Sequence, residues 1–284
     1  MIRSAFSLRQ RSEEAIADVP SLRMTAERLA ASINSGEHAL HKSGGHEKFW
    51  QFREYNEIDR PQDIDWRQSA KTDHIFVREK ERHIPQSAVI WCNRSQSMDF
   101  QSHLAQVSKR QAAQLLSLAL AILLTRGDEQ IGFLDAMRSG RSDATLDRFA
   151  HILFEAGEAL PLAQAASNSH LIFCSDFLEP IEAIEACFAR YAARHRRALI
   201  VQILDPAEVT LPYSGHVVFD GGQDMREKVD NVSAIRAAYQ ARVEAHRKAL
   251  SDLCADYGWS YVFHRTDEPP ETALFNIWEI LNCK

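Results

Sequence analysis

The chain has 284 residues, 45% of them hydrophobic and 25% charged, with a formal net charge of -6. That composition belongs to an ordinary globular protein and excludes a disordered or fibrous one, and the length leaves room for about two domains at roughly 150 residues each. There is no basic excess to displace counterions from nucleic acid and no polybasic block beside an apolar anchor, so neither nucleic-acid binding nor direct membrane insertion is expected.

The longest apolar run, Leu115–Leu124, falls well short of the roughly 20 residues that span a bilayer and reads as a buried helix. The first 20 residues lack an apolar core of signal-peptide length, so a cytoplasmic protein is expected. Cys92, Cys174, Cys187, Cys254 and Cys283 form no CxxC pair and are odd in number, which fits buried thiols in a reducing compartment better than disulfides or zinc.

Taken in chain order, residues 1–36 read as helical. Leu22, Ala26, Leu29 and Ile33 recur at helical spacing and line one face of a helix laid against the body of the protein. Ser21 is placed to cap it and Gly36 to end it. Residues 37–86 change character. Two aromatic and β-branched runs, Phe49–Tyr55 and His74–Glu79, flank a segment rich in Asp, Arg and Pro, the pattern of paired strands around a structured loop in a small β-rich module. Arg53, Asp59, Asp63, Asp65 and Arg67 lie there among Phe49, Trp50, Phe52, Tyr55 and Trp66. Guanidinium–carboxylate forks beside aromatic faces read first as an internal clamp onto a neighbouring domain; exposed, the same mixture makes a binding hot spot.

From 87 to 284 strands alternate with helices. Strands are expected at Ala88–Asn93, Gln130–Asp135, His170–Ser175, Leu199–Leu204 and Ser260–His264, with a short extra one at His216–Phe219. Helices are expected over 104–126, 144–157, 180–195, 232–257 and 271–282. Continuous apolar strands between amphipathic helices imply an α/β domain with a parallel sheet covered on both faces. The basic run Arg190–Arg197 falls at a helix end, where cations favour the negative terminus.

A doubly wound sheet places its crevice at the carboxyl ends of the strands, where the strand order reverses. Two polar loops directly follow apolar strands: Asn93–Met98 (NRSQSM) after the first, and Ser175-Asp176-Phe177 after the third. With the common reversing order they face each other. By their chemistry alone, Asn93, Ser95 and Ser97 cap the following helix and shape its entry turn.

The first loop also resembles the Asp-x-Ser-x-Ser signature of von Willebrand factor A domains, in which hydroxyls and acidic residues hold Mg²⁺ or Mn²⁺ and a partner's carboxylate is the last ligand. Ser95 and Ser97 match the serines and Asp176 the later acidic residue; Asn93 replaces the leading Asp, and Thr145 is a nominal match to a third-loop threonine. Affinity for hard cations depends on ligand charge. The resemblance therefore implies a degenerate metal site at Ser95, Ser97 and Asp176, its Mg²⁺ or Mn²⁺ binding weakened by Asn93.

A longer string is more specific. Phe49–Tyr55, then Asp63-Ile64-Asp65-Trp66-Arg67-Gln68-Ser69-Ala70, then Phe76-Val77-Arg78-Glu79 resembles the bacterial domain of unknown function 58 family. There an Arg-x-Tyr … Asp … Ile-Asp-Trp-Arg-x-Ser-Ala element, carried here by Arg53, Tyr55, Asp65, Trp66 and Arg67, precedes a von Willebrand factor A-like domain. Asp205-Pro206-Ala207-Glu208, Leu211-Pro212 and Gly215 match its late element. The similarity runs from about Gly36 to Ile280. It departs at Ile58-Asp59, where the family usually has Gly-Asp, at Glu79-Lys80-Glu81-Arg82, and at Asn93. The resemblance implies a von Willebrand factor A-like, Rossmann-type doubly wound sheet over 87–284, preceded by the β-rich module and the N-terminal helix. Because members resemble one another in being encoded beside MoxR-type AAA+ ATPases and other von Willebrand factor A proteins, it also implies a partner of that kind, in complex maturation or cell-envelope upkeep.

No Gly-x-Ser-x-Gly elbow, HExxH, P-loop or GxGxxG occurs. His38, His41 and His46 are irregularly spaced, as in a solvated loop, and His264 is the one histidine set near a strand end. The residues favour a non-enzymatic interaction or adaptor protein. The alternative is a divalent-metal-dependent hydrolase, of phosphatase or nuclease type, using Asp176 with Asp135; it would need an acidic ligand where Asn93 stands.

Overall fold

The structure is a computed structural model that describes residues 18–33, 49–56, 64–71, 74–80, 87–134, 136–164, 169–194, 197–220 and 226–282. It divides into two compact units, one of residues 37–85 and one of residues 1–36 with 86–284.

The helix α1 of the larger unit covers residues 18–33. Ala26, Leu29 and Ile33 are buried and Leu22 packs at the edge of the same core, as the helical spacing requires. The helix starts earlier than expected, so Ser21 lies inside it and its hydroxyl donates to the Asp18 carbonyl at 2.8 Å instead of capping the end. Gly36 lies outside the described residues.

In the smaller unit β1 (Phe49–Glu54) pairs antiparallel with a strand β2 (Phe76–Lys80), and a short helix α2 (Trp66–Ser69) comes between them in sequence. Asp65 caps α2, accepting from the Gln68 N–H at 3.0 Å. The Ser69 hydroxyl donates to the Asp65 carbonyl and accepts from the Phe76 N–H, both at 2.8 Å, which fastens α2 to β2.

The larger unit is built on β3 (Ser87–Cys92), β4 (Gln130–Phe133), β5 (Met137–Gly140), β6 (Ser169–Ser175), β7 (Ala198–Leu204) and, after a hairpin of β8 (Val217–Asp220) and β9 (Arg226–Val229), β10 (Ser260–Arg265). Its helices are α3 (Lys109–Arg126), α4 (Asp143–Ile152), α5 (Ile181–Ala192), α6 (Pro206–Thr210), α7 (Val232–Asp256) and α8 (Pro270–Asn282). The spatial order is β10-β7-β6-β3-β4-β5, with β5 antiparallel to β4 and the other neighbours parallel. The chain leaves the central β3 towards β4 and β5, then returns to lay β6 on the other side of β3. The strand order therefore reverses between β3 and β6, and a crevice opens there at the carboxyl ends.

Alternate residues of the central strands serve opposite faces, as the two-residue period demands. Ala88, Ile90 and Cys92 join the core shared with α1, α3, α4 and α8, whereas Val89 and Trp91 join the one shared with α5 and α7. The apolar run in α3 is buried from Leu116 to Leu124, the central helix expected of it.

The helix expected from residue 104 begins at Lys109, because Ser108 and Gln111 form a reciprocal capping box. The short strands β5 and β9 and the helix α6 were not anticipated; β5 and β9 are half-exposed and polar, so neither carries an apolar signal. Among the described residues no helix is long and apolar enough to cross a membrane. Cys92, Cys174, Cys187 and Cys254 are buried thiols. Burial pushes the Cys92 thiol up to about 11 and the Cys174 thiol up to about 12, which keeps both unreactive; Cys283 lies outside the described residues.

Candidate functional site

Asn93 and Asp176 follow the apolar strands β3 and β6, and the reversal of strand order brings them together. The Asn93 side chain is fully buried. Its Nδ2 donates to Ser175 Oγ at 2.9 Å and to Asp176 Oδ1 at 3.3 Å, while its Oδ1 accepts from the Ser95 N–H at 2.8 Å. Its backbone N–H donates to the Cys174 carbonyl at 2.8 Å. The residue after Asp176, Phe177, takes a left-handed conformation (φ 47°), costly for a bulky side chain. The turn is held by the Phe177 N–H donating to Ser175 Oγ at 3.2 Å, by His246 Nε2 against the Phe177 carbonyl at 2.7 Å, and by packing of the ring on Phe188.

Lys109, at the first position of α3, completes the centre. Its Nζ is 2.8 Å from Asp176 Oδ2 and 2.6 Å from Glu208 Oε1, with the lysine and aspartate side chains each 1% exposed. The Phe100 ring lies above the ammonium, 5.9 Å from centroid to Nζ, a cation–π distance. Burial lowers the Lys109 pKa, but the facing Asp176 and Glu208 carboxylates more than reverse this and hold it above the ordinary lysine value. Burial pushes the Glu208 carboxyl up, and the Lys109 charge pulls it back in part.

Glu208 is the last residue of the Asp205-Pro206-Ala207-Glu208 string, and every member of that string has a structural task. Asp205 caps α6 by accepting from the Ala207 N–H at 2.8 Å, and its other oxygen accepts from the Ser102 N–H at 2.8 Å. Pro206 takes the first helical turn, where its missing N–H costs nothing. Glu208 Oε2 accepts from the Asp205 N–H at 2.9 Å, leaving Oε1 for Lys109. One short motif therefore anchors both α6 and the 100–108 loop to the crevice.

The other anticipated residues fall differently. Ser95 and Ser97 are bonded to each other, Oγ to Oγ at 3.1 Å. Ser95 precedes a short 3₁₀ turn (Gln96–Asp99) without a side-chain capping bond, and α3 is capped by Ser108, so the serines do not cap the following helix; Asn93 shapes the turn together with Arg110, whose guanidinium donates to the Arg94 and Ser95 carbonyls at 3.0 and 2.9 Å. Thr145 belongs to the capping box of α4 with Ser142. Because β5 runs antiparallel, α4 starts at the opposite edge of the sheet, and Thr145 is no partner of Asp176. His264 is 3% exposed and sits on the edge strand β10, two strands away from β6. Burial drops its pKa to about 4, with Asp267 only partly opposing, so it is neutral near pH 7. Asp135 and the His38–His46 stretch lie outside the described residues.

Of the hallmark residues in the smaller unit, Asp65 is the cap of α2 and Tyr55 is paired through its backbone, N–H to the Ile75 carbonyl at 2.8 Å. Trp66 is 67% exposed and Arg67 is also exposed. The Arg53 backbone pairs with Val77 in the β1–β2 ladder; its side chain, with Asp59 and Asp63, lies outside the described set.

The donor set does not fit a divalent cation. Asp176 Oδ1 faces the Asn93 amide and the Ser175 hydroxyl, Oδ2 faces an ammonium, and both serines turn to each other. Among the described residues no group of three His, Cys, Asp or Glu side chains is placed to hold a metal ion. Of the three anticipated residues, Ser95 and Ser97 bond to each other, while Asp176 joins a hydrogen-bonded cluster around Lys109, a residue the sequence motifs did not single out. One signal marked it: Lys109-Arg110 places two cations at a helix N-terminus, against the macrodipole.

The match to a family model extends over residues 51–144 and 152–249, and the model describes a protein of unknown function, DUF58. The chain belongs to the DUF58 family. It is also similar to the uncharacterized proteins Rv1480 of Mycobacterium tuberculosis and Mb1516 of Mycobacterium bovis. Each is 25% identical over 270 residues, which cover 87% of this chain and 83% of the relative.

Around the buried centre of this DUF58 protein several apolar side chains reach the surface among polar ones. Phe100, Leu104 and Val107, on the loop that Asp205 and Lys109 hold, are 40%, 43% and 37% exposed, and Leu178 after the Asp176 turn is 45% exposed. Behind that turn a cleft of about 450 Å³ is lined by Glu179, Gln202, Tyr239, Arg242, His246 and Arg247, among others. Gln202 braces it, its Nε2 donating to the Asp176 carbonyl at 2.8 Å and its Oε1 accepting from the Tyr261 hydroxyl at 2.6 Å. Burial, with Asp176 nearby, pushes the Glu179 carboxyl up to about 7.

Proposed function

We propose that this protein is a non-enzymatic adaptor with a von Willebrand factor A-like domain, which docks a protein partner on the carboxyl edge of its sheet. The resemblance named above makes that partner a MoxR-type AAA+ ATPase, with other von Willebrand factor A proteins as further candidates, acting in complex maturation or cell-envelope upkeep. The observation that carries the reading is the contrast at the strand-order reversal. The polar groups there are satisfied inside the protein, while Phe100, Leu104 and Val107 stand exposed on the loop fixed above them. Exposed apolar side chains on a rigid base are what a docking surface needs.

The hydrolase alternative has less support. It asks Asp176 to hold a metal or activate water, yet Asp176 is fully buried and both its oxygens are engaged. A second docking surface is favoured by one observation: Trp66, beside exposed Arg67, is 67% exposed, and such a pair is typical of an interface anchor. Calorimetry of the purified chain with a MoxR-type ATPase from the same genome separates the two surfaces. The expected result is binding that Leu104→Asp weakens at least tenfold without loss of thermal stability, and that Trp66→Ala leaves intact. Loss with Trp66→Ala alone moves recognition to the smaller unit, and no binding to any such ATPase removes the assigned partner.

A further inference from the structure

We propose that the Lys109 ammonium is the resident cation of the crevice between β3 and β6, a charge tethered to α3 that makes this centre independent of divalent metal. The inference rests on the binding-edge reading only for what it says about recognition; the identity of the cation stands on the geometry alone.

Three observations converge. First, the ammonium occupies the point where two buried carboxylates meet, 2.8 Å from Asp176 and 2.6 Å from Glu208. An ammonium has three donors; two are taken by these oxygens, and the Phe100 ring covers the charge. Second, Asn93 is matched to this arrangement. Its N–H₂ points at Asp176 Oδ1 and its oxygen accepts from the Ser95 N–H, so reversing the amide would set oxygen against carboxylate and N–H against N–H. An Asp at 93 would put a third acid against one ammonium, whereas a neutral donor leaves one cation facing two carboxylates. Third, the base of the lysine is fixed by the backbone. Ser108 caps α3 immediately before it, and the Lys109 N–H donates to the Phe100 carbonyl at 3.2 Å, so its side chain starts at the rim of the crevice and its charge stays tethered there.

A divalent ion entering here would have to displace a covalently attached cation and strip hydrogen bonds from Asp176. The ammonium also closes the route by which a metal recruits a partner's carboxylate, because the Lys109 side chain is 1% exposed and its charge is already shared by two acids. Recognition at this edge then falls to the Ser95 and Ser97 hydroxyls and the apolar rim.

The test is titration of the purified full-length chain with MgCl₂ and with MnCl₂, by calorimetry and thermal denaturation, in four forms: wild type, Asn93→Asp, Lys109→Ala, and Lys109→Ala/Asp176→Asn. Wild type and Asn93→Asp are expected to give no binding heat and no shift in Tm at millimolar ion. Lys109→Ala is expected to lose stability and regain part of it with Mn²⁺, an effect that the added Asp176→Asn abolishes. Ion binding at micromolar concentration by the wild type, or by Asn93→Asp with Lys109 in place, overturns the proposal. Should Lys109→Ala not fold, those first two forms still decide it. Because no partner is used, failure here is distinct from failure of the adaptor reading.

Discussion

Lys109 Nζ and Asp176 Oδ2 meet at 2.8 Å with both side chains 1% exposed, joining the first turn of α3 to the loop after β6 where water cannot screen them. Desolvating two such charges is expensive, and the pair persists because Glu208 accepts a second ammonium hydrogen while Asn93 and Ser175 donate to the other Asp176 oxygen. The gain is positional. Three loops from distant parts of the chain are locked at one edge of the sheet, and the apolar side chains of the 100–108 loop are held outward as a consequence.

Removing one partner of that pair should be severe. Lys109→Met leaves two uncompensated buried carboxylates and is expected to lower unfolding stability by about 3–5 kcal/mol, measured by urea denaturation. Adding Asp176→Asn should recover part of the loss. The Lys109 pKa is raised in the folded state, so its contribution is fully present below the unfolded lysine value of about 10.4 and disappears as pH rises through the folded one. The difference between wild type and Lys109→Met should therefore be constant from pH 7 to 9 and shrink only under strongly alkaline conditions.

Asp205→Ala removes an acceptor for two backbone donors, Ala207 at the α6 cap and Ser102 in the 100–108 loop. Loss of a helix cap plus a buried charged hydrogen bond amounts to about 2–4 kcal/mol. Amide exchange should report it locally, with the Ser102 and Ala207 amides losing protection relative to the β6 and β7 amides. Uniform loss across the sheet would mean that the motif acts on global stability instead of on this edge.

Much of this architecture was legible in the sequence, and the exceptions have physical causes. The strands β3, β6 and β7 are continuous apolar runs because helices cover both their faces, and α5 and α8 carry the period of a half-buried helix. The two polar loops could be paired in advance because a doubly wound sheet reverses its order at one place. Lys109 was missed because its role depends on Glu208, about a hundred residues later, and because the preceding residues from 104 read as helix when they form a loop tied to Asp205. The neighbours of the serine loop were illegible for the same reason: a spacing motif reports which side chains are present, not which partners Asp176 and the serines bond in the fold. Trp66 and Arg67 show the limit of composition: it names residues that suit a clamp or a surface patch without saying which they make.

Glu179 supplies a pH dependence. Burial raises its carboxyl pKa from 4.5 to about 7, so the folded chain retains a proton that the unfolded chain releases. Stability from this group falls as pH rises from 4.5 to about 7 and stays lowered above that. Glu179→Gln should be more stable than wild type by about 1 kcal/mol at pH 8, the figure reduced because part of the group faces water, and the two should converge near pH 4.5. An unchanged difference across that range would show that the carboxyl titrates normally.

His264 acts with the opposite sign. Its pKa is lowered from 6.5 to about 4 by burial, so the unfolded chain takes up the proton first. Stability is then fully present above pH 6.5 and lost as pH falls towards 4, by up to about 3 kcal/mol. Urea denaturation of His264→Leu should lack that portion of the acid dependence, while the wild type shows it.

The carboxyl edge of the sheet is the proposed surface for a partner. Hydrogen–deuterium exchange of the chain with and without a MoxR-type ATPase tests this most directly. New protection is predicted over residues 94–108 and 176–180, with EDTA making no difference. Protection confined to residues 64–71, or protection of the edge that EDTA abolishes, would contradict it.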